Sequence, residues 1–201
     1  MQTTNWGDLN ISKFWLLKDF IYNIEENSVL GFSPLGLEKL KEHDVVFLPG
    51  LIPDPYVLDI FSMSLVRKIE PYAFKDIKIF EMIIPSGLTV IGEGAFENCK
   101  ISKINFGEGL EIIEAKAFKS NRTEEIRLPD SVKTIGNEAF ASNRIYDIAM
   151  GDNLLEVGEK AFDGNPVEKI KIGKNLTKIG AGAFPSTEAV EKELMRNITS
   201  N

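Results

Sequence analysis

The chain has 201 residues, 43% of them apolar and 26% charged, with a net charge of −7 and a pI near 4.9. That balance describes an ordinary folded domain and excludes a nucleic-acid binder working through a basic face. One cysteine allows no internal disulfide framework, one histidine and one cysteine make no zinc cluster, and no apolar run approaches the roughly 18 residues of a transmembrane helix.

No basic segment followed by an apolar core opens the sequence. The expectation is therefore a cytosolic protein or a segment of a longer exported one. Residues 1–13 are polar and predicted to pack loosely. From Asp19 to Ile24 apolar residues alternate, Glu25 to Asn27 offer a turn, and Ser28–Phe32 supplies a second strand, which together predict a β-hairpin. Ser33 followed by Pro34 reads as a helix cap and first turn, with Leu35, Leu37 and Leu40 as the apolar face to about Glu42. Val45–Pro49 reads as a strand and turn. Residues 44–62 are expected to form a degenerate first repeat, with Leu51-Ile52 at the place that Ala-Phe takes later.

From residue 63 the chain is governed by one phrase. Ala-Phe recurs at Ala73-Phe74, Ala95-Phe96, Ala117-Phe118, Ala139-Phe140, Ala161-Phe162 and Ala183-Phe184, each step being 22 residues. Around it run apolar columns: Val66, Leu88, Leu110, Val132, Leu154, Leu176, and three residues on Ile69, Ile91, Ile113, Ile135, Val157, Ile179. A further column, Met82, Ile104, Ile126, Ile148, Ile170, has a second apolar residue two positions later, the spacing of a short strand with alternate side chains inside. Gly or Pro follows that strand at Pro85, Gly107, Pro129, Gly151 and Gly173, where the chain must turn. Glycines at 92, 136, 158 and 180 precede Ala-Phe, but Glu70 and Glu114 share their column, so the place does not demand positive φ. Cys99, Asn121, Asn143 and Asn165 form an inner column whose side chains bond loop backbone, with the thiol as a weak substitute. A fixed period of this length is a solenoid's signature, because one turn cannot bury its own apolar face and must stack on the next.

The phrase Ile-Gly-x-x-Ala-Phe, together with Leu-Pro-Asp-Ser-Val-Lys-Thr-Ile-Gly at 128–136, resembles the BspA-like leucine-rich repeats, also called the Treponema pallidum type. The resemblance covers about residues 63–185. That family's repeat is usually one residue longer, and here Ile and Phe replace much of the Leu. The resemblance implies a curved solenoid on bacterial, or some protist, cell-surface proteins used for adhesion or protein binding. Residues 31–41 resemble the module that often precedes such repeats in large Gram-positive surface proteins. The expected fold is an α/β solenoid: a right-handed leucine-rich-repeat coil with one short parallel strand per turn and an N-terminal α+β cap. The expected division is 1–62 as cap (hairpin, helix, degenerate repeat), 63–185 as solenoid, and 186–201 as a C-terminal helical cap or a linker. In that last segment Ser186 or Thr187 caps a helix through Ala189, Val190, Leu194 and Ile198, with Glu188 and Lys192 paired across one turn.

No catalytic constellation emerges. His43, at a helix end, reads as solvated, and Cys99 as an inert buried thiol. Asp54 between two prolines reads as turn chemistry rather than a calcium ligand. Gly107-Glu108-Gly109 and Gly180-Ala181-Gly182 lack a phosphate loop's pattern and belong to repeat columns. The chain is expected to be non-enzymatic, with no cofactor and no metal.

What varies from turn to turn is the outward side of the strand ladder: Ser102, Lys103 and Asn105; Glu124, Glu125 and Arg127; Tyr146, Asp147 and Ala149; Glu168, Lys169 and Lys171. Variation over a fixed core is what a binding face needs. The first expectation is a protein-binding or adhesion module whose partner, by the resemblance, is a host or neighbouring-cell protein. The other is a passive spacer within a larger envelope protein. Location follows the same fork: cell surface or secreted, with the cytoplasm as the alternative.

Overall fold

The computed structural model of the chain describes residues 19–23, 26–41, 45–48, 51–53 and 63–200. His43, Asp54 and the side chain of Ile198 lie outside the described residues. The N-terminal part contains β1 (Phe20–Asn23), β2 (Ser28–Phe32), α1 (Pro34–Leu40), β3 (Val45–Phe47), β4 (Leu51–Pro53) and β5 (Met63–Leu65). Each later turn carries a two-residue and then a three-residue strand. These are β6 (Lys68–Ile69) with β7 (Glu81–Ile83), β8 (Val90–Ile91) with β9 (Lys103–Asn105), and β10 (Ile112–Ile113) with β11 (Glu125–Arg127). They continue as β12 (Thr134–Ile135) with β13 (Asp147–Ala149), β14 (Glu156–Val157) with β15 (Lys169–Lys171), and a last short strand β16 (Lys178–Ile179) before α2 (Glu188–Ser200).

Repeat strands pair parallel with their counterparts one period away, as Ile126↔Ile148 and Ile113↔Ile135 show, except between β9 and β11. The result is a parallel β-solenoid. The expected strand is present in each turn, and a second ladder joins it. An eight-stranded sheet runs β1-β2-β6-β8-β10-β12-β14-β16, while the three-residue strands form two sheets, β3-β7-β9 and β11-β13-β15. Between the ladders lies the core. Met82, Ile126 and Ile148 enter it from one side and Ile69, Ile91, Ile113, Ile135 and Val157 from the other, all of them buried.

At the third side of each turn the Ala-Phe pair does two jobs. The phenylalanine N–H donates to the alanine carbonyl of the next turn, as from Phe118 to Ala139 at 2.8 Å. Its ring joins a continuous column, Phe74 to Phe184, with neighbouring centroids 5.1–5.5 Å apart and planes within 11°. Burying one such ring is worth about 3 kcal/mol. The turn needs a left-handed residue just before the pair: Lys116, Glu138 and Lys160 have φ of 58°, 55° and 53°, and Gly94 and Gly182 share their column. The glycines at 92, 136, 158 and 180 serve a different purpose. A Cβ on Gly136 would lie 2.5 Å from the Ala115 nitrogen, so close approach of the preceding turn, not φ, favours glycine there.

The first turn is built differently from expectation. Val29 pairs with Ile69, and Val46 with Met82, so the strand places below the first repeat are taken by β2 and β3. Phe32 extends the aromatic column edge-on to Phe74 at 4.9 Å. β2, α1 and β3, with α1 in place of the tight turns, thus belong to the starting turn. Leu51-Ile52 does not stand at the Ala-Phe place; β4 pairs antiparallel with β5 as a separate two-stranded sheet. The reason lies in the spacing: Val29 to Val46 takes 17 residues where Ile69 to Met82 takes 13, but Val46 to Ile69 takes 23 where Met82 to Ile91 takes 9, so most of the added chain falls in the segment that carries β4 and β5.

At the other end α2 lies against β15. Thr187 caps it, its Oγ1 accepting from Val190 N–H at 3.4 Å. Val190 is buried and Leu194 packs on the core. The expected Glu188–Lys192 pair is not among the ion pairs of the described residues; Glu193 pairs instead with Arg196 at 2.6 Å.

Candidate protein-binding face

Three-residue strands with an inward isoleucine leave their first and third side chains outside. Lys103, Asn105, Glu125, Arg127, Lys169 and Lys171 are exposed on this face, and Asp147 and Ala149 are half-buried on it. Ser102, Glu124, Tyr146 and Glu168 precede these strands in a single column, which begins at the exposed Phe80. All the residues expected on the outward side therefore stand on one surface.

That surface divides in two. Backbone ladder pairing links β7 to β9 and β11 to β13 and β15, but β9 and β11 belong to separate sheets. Side-chain pairing follows the same seam. On the first half, Glu81 Oε1 accepts from Lys103 Nζ at 2.9 Å and from Asn105 Nδ2 at 2.8 Å. On the second, Arg127 Nη2 pairs with Asp147 Oδ2 at 2.7 Å and reaches Glu125 at 3.4 Å. Tyr146 donates its hydroxyl to Glu125 Oε1 at 2.7 Å, and that hydrogen bond raises the phenol's pKa above its ordinary value. Ser102, Lys103 and Asn105 are thus grouped apart from Glu125, Arg127, Tyr146 and Asp147. Such half-exposed pairs contribute about 0–1 kcal/mol each. They fix side-chain positions more than they stabilise the fold.

Beyond these pairs, Lys169 and Lys171 take part in no ion pair among the described residues. Their strand β15 borders α2 across an open groove of about 430 Å³ floored by Ile170 and Ala189 and edged by Lys169, Lys192 and Arg196 together with Glu168 and Glu193. Three residues of this surface escape the repeat pattern. Glu81 could have been found, since it occupies the column of Lys103 and Glu125. Lys192 and Arg196 could not, because only the docking of α2 brings them to the strand face. Among the described residues no group of three His, Cys, Asp or Glu side chains is placed to hold a metal ion.

Below this face the inner column is as expected for a structural ladder. Asn121, Asn143 and Asn165 are buried, each donating to two phenylalanine carbonyls and accepting one backbone N–H, as Asn165 does with Phe140, Phe162 and Ile145 at 2.9, 2.9 and 3.0 Å. Cys99 takes the same place, with Sγ 2.8 Å from the Phe74 carbonyl. Lacking an amide oxygen, it leaves the Ile79 N–H to the Cys99 backbone carbonyl.

Stacked parallel turns of 22 residues over an Ile and Phe core, with an asparagine column inside, define a leucine-rich-repeat protein. The model of the BspA-type leucine-rich-repeat region matches residues 67–191 in 6 copies, and the chain belongs to that family. Solved structures are similar. The pneumococcal vaccine antigen PcpA is 22% identical with a TM-score of 0.63, over 78% of this chain and 42% of that one. The leucine-rich-repeat protein of Treponema pallidum is 17% identical with a TM-score of 0.53, over 91% and 95%. A leucine-rich cell-surface protein of Faecalibacterium prausnitzii is 20% identical with a TM-score of 0.49, over 82% and 49%. The chain thus spans about half the length of the Faecalibacterium and pneumococcal proteins. The curated proteins contain no significant match. Among the described residues no helix is long and apolar enough to cross a membrane.

Proposed function

We propose that this chain is a non-enzymatic protein-binding module of a bacterial cell-surface protein, and that it holds a host or neighbouring-cell protein on the exposed strand face. The observation that supports this most is the contrast between the two sides of one ladder. The inner position is isoleucine in β9, β11, β13 and β15, while the outer pairs read Lys/Asn, Glu/Arg, Asp/Ala and Lys/Lys. A fixed scaffold presenting changing chemistry is what protein recognition by repeats uses. Membership of the BspA-type leucine-rich-repeat family agrees with that reading.

A spacer is the second reading, favoured by the self-pairing of Glu81, Glu125, Arg127 and Asp147, which leaves fewer groups for a partner. Site-directed photo-crosslinking separates the two. A photoreactive phenylalanine analogue at Ala149, on the strand face, is compared with one at Thr177, beside β16, with intact cells as the source of partners. Binding through this face gives a discrete adduct from position 149 and none from 177. A spacer gives none from either.

A further inference from the structure

We infer that the groove between β15 and α2 docks an acidic, extended segment of the protein partner, an inference that rests on the strand face being the binding surface. Three observations converge there. First, the cations at this end are left over by the pairing of the rest. Lys169 sits beside Asp147 in the ladder, but Asp147 is held by Arg127 at 2.7 Å. Lys171 sits beside Ala149, which offers no charge. Lys192 on α2 takes part in no ion pair among the described residues. Against these three lysines this end of the variable face sets one carboxylate with no ion pair among the described residues, Glu168, so a chain with a net charge of −7 carries a local excess of cations there.

Second, one of the two carboxylates lining the groove is engaged. Glu193 accepts the Ile172 N–H at 3.0 Å and pairs with Arg196 at 2.6 Å. Glu188 borders the groove only toward the start of α2, so along Ile170 three basic side chains, Lys169, Lys192 and Arg196, face two carboxylates, Glu168 and Glu193. Third, the backbone there is open to an extended chain. Lys169 and Lys171 turn their peptide groups toward β13, through bonds to Tyr146 and Met150, so Ile170 turns its N–H and C=O toward the groove. A segment lying along Ile170 and Ala189 meets an apolar floor and lysines at the rim. The charge that fits them is a carboxylate.

The test uses fluorescein-labelled peptides of equal length and equal apolar content, carrying Glu, Gln or Lys at alternate positions, titrated with the full chain by anisotropy. The Glu peptide should bind, the Gln and Lys peptides should not, and added salt should weaken the complex. Lys169→Gln, Lys171→Gln and Lys192→Gln together should weaken it about tenfold or more while leaving the melting curve in place. The inference is overturned if the Glu peptide does not bind, if the Lys peptide binds as well, or if the triple variant keeps full affinity. Should that happen while position 149 still crosslinks a partner, the groove is wrong and the strand face stands. Failure of both removes the binding reading itself.

Discussion

Asn143 reaches back 25 residues and donates its Nδ2 to the carbonyl oxygen of Phe118 at 2.9 Å. Asn121 and Asn165 make the same bond to Phe96 and Phe140. One amide thereby ties each turn to the preceding one. Asn143→Ala leaves the buried Thr123 N–H without its partner and takes one of two amide donors from each of the Phe118 and Phe140 carbonyls, which keep Asn121 and Asn165. It should cost about 3 kcal/mol in a denaturant melt. A cost below about 1 kcal/mol would mean that water replaces the ladder.

The phenylalanine column predicts a gradient from centre to end. Phe140 lies between Phe118 and Phe162 at 5.3 and 5.2 Å and is fully buried, whereas Phe184 has one column neighbour, at 5.5 Å, and is 9% exposed. Phe140→Ala should cost about 3–5 kcal/mol and Phe184→Ala clearly less. Equal costs in denaturant melts would contradict a stack in which each turn leans on both neighbours.

Cys99 should be silent in the native state. Burial is the main cause that pushes its thiol up to about 12. The thiolate, which is the reactive form, is therefore nearly absent at mildly alkaline pH. A thiol reagent should label the chain only in denaturant. Rapid labelling of the native protein would place Cys99 outside the asparagine column.

The repeat made most of this architecture legible. Column by column, the period set the inward isoleucines, the phenylalanine stack and the asparagine ladder, because each depends on residues one period apart. The two-residue strands escaped because two residues are too few to show alternation. The starting turn escaped for another reason: the segment that carries β4 and β5, and to a smaller extent α1, stretches the spacing, so Val29 and Val46 meet Ile69 and Met82 out of period. The outward residues could be listed from the pattern. Their grouping could not, since Arg127–Asp147 and Tyr146–Glu125 need the ladder register, and Lys192 and Arg196 reach the face through α2.

Glu193 makes the C-terminal end sensitive to acid. Burial alone pushes its carboxyl up, but the Arg196 guanidinium and the Ile172 N–H outweigh burial and hold it below the ordinary value of 4.5. Its folded pKa lies below its unfolded one, so its contribution is complete above the unfolded value and lost as pH falls through the folded value. Glu193→Gln should cost about 1 kcal/mol at neutral pH. The difference between the two chains should shrink below about pH 4.5, the ordinary glutamate value. A constant difference across that range, measured by denaturant melts, would show that Glu193 does not hold the end of β15.

If the strand face recognises a protein rather than only spacing one domain from another, Arg127→Ala with Tyr146→Ala should weaken binding of the crosslinked partner, once that partner is identified. Both side chains lie outside the core, and their pairs with Asp147 and Glu125 are surface contacts, so the melting curve should hardly move. Arg and Tyr are residues whose loss at interfaces costs most, and the affinity should fall about tenfold or more, roughly 1.4 kcal/mol. Glu111→Ala with Lys178→Ala removes two surface ion pairs on the other ladder, with Lys133 and Glu156, and serves as the control that should leave affinity unchanged. Affinity lost with the control pair and kept with Arg127 and Tyr146 would contradict the account.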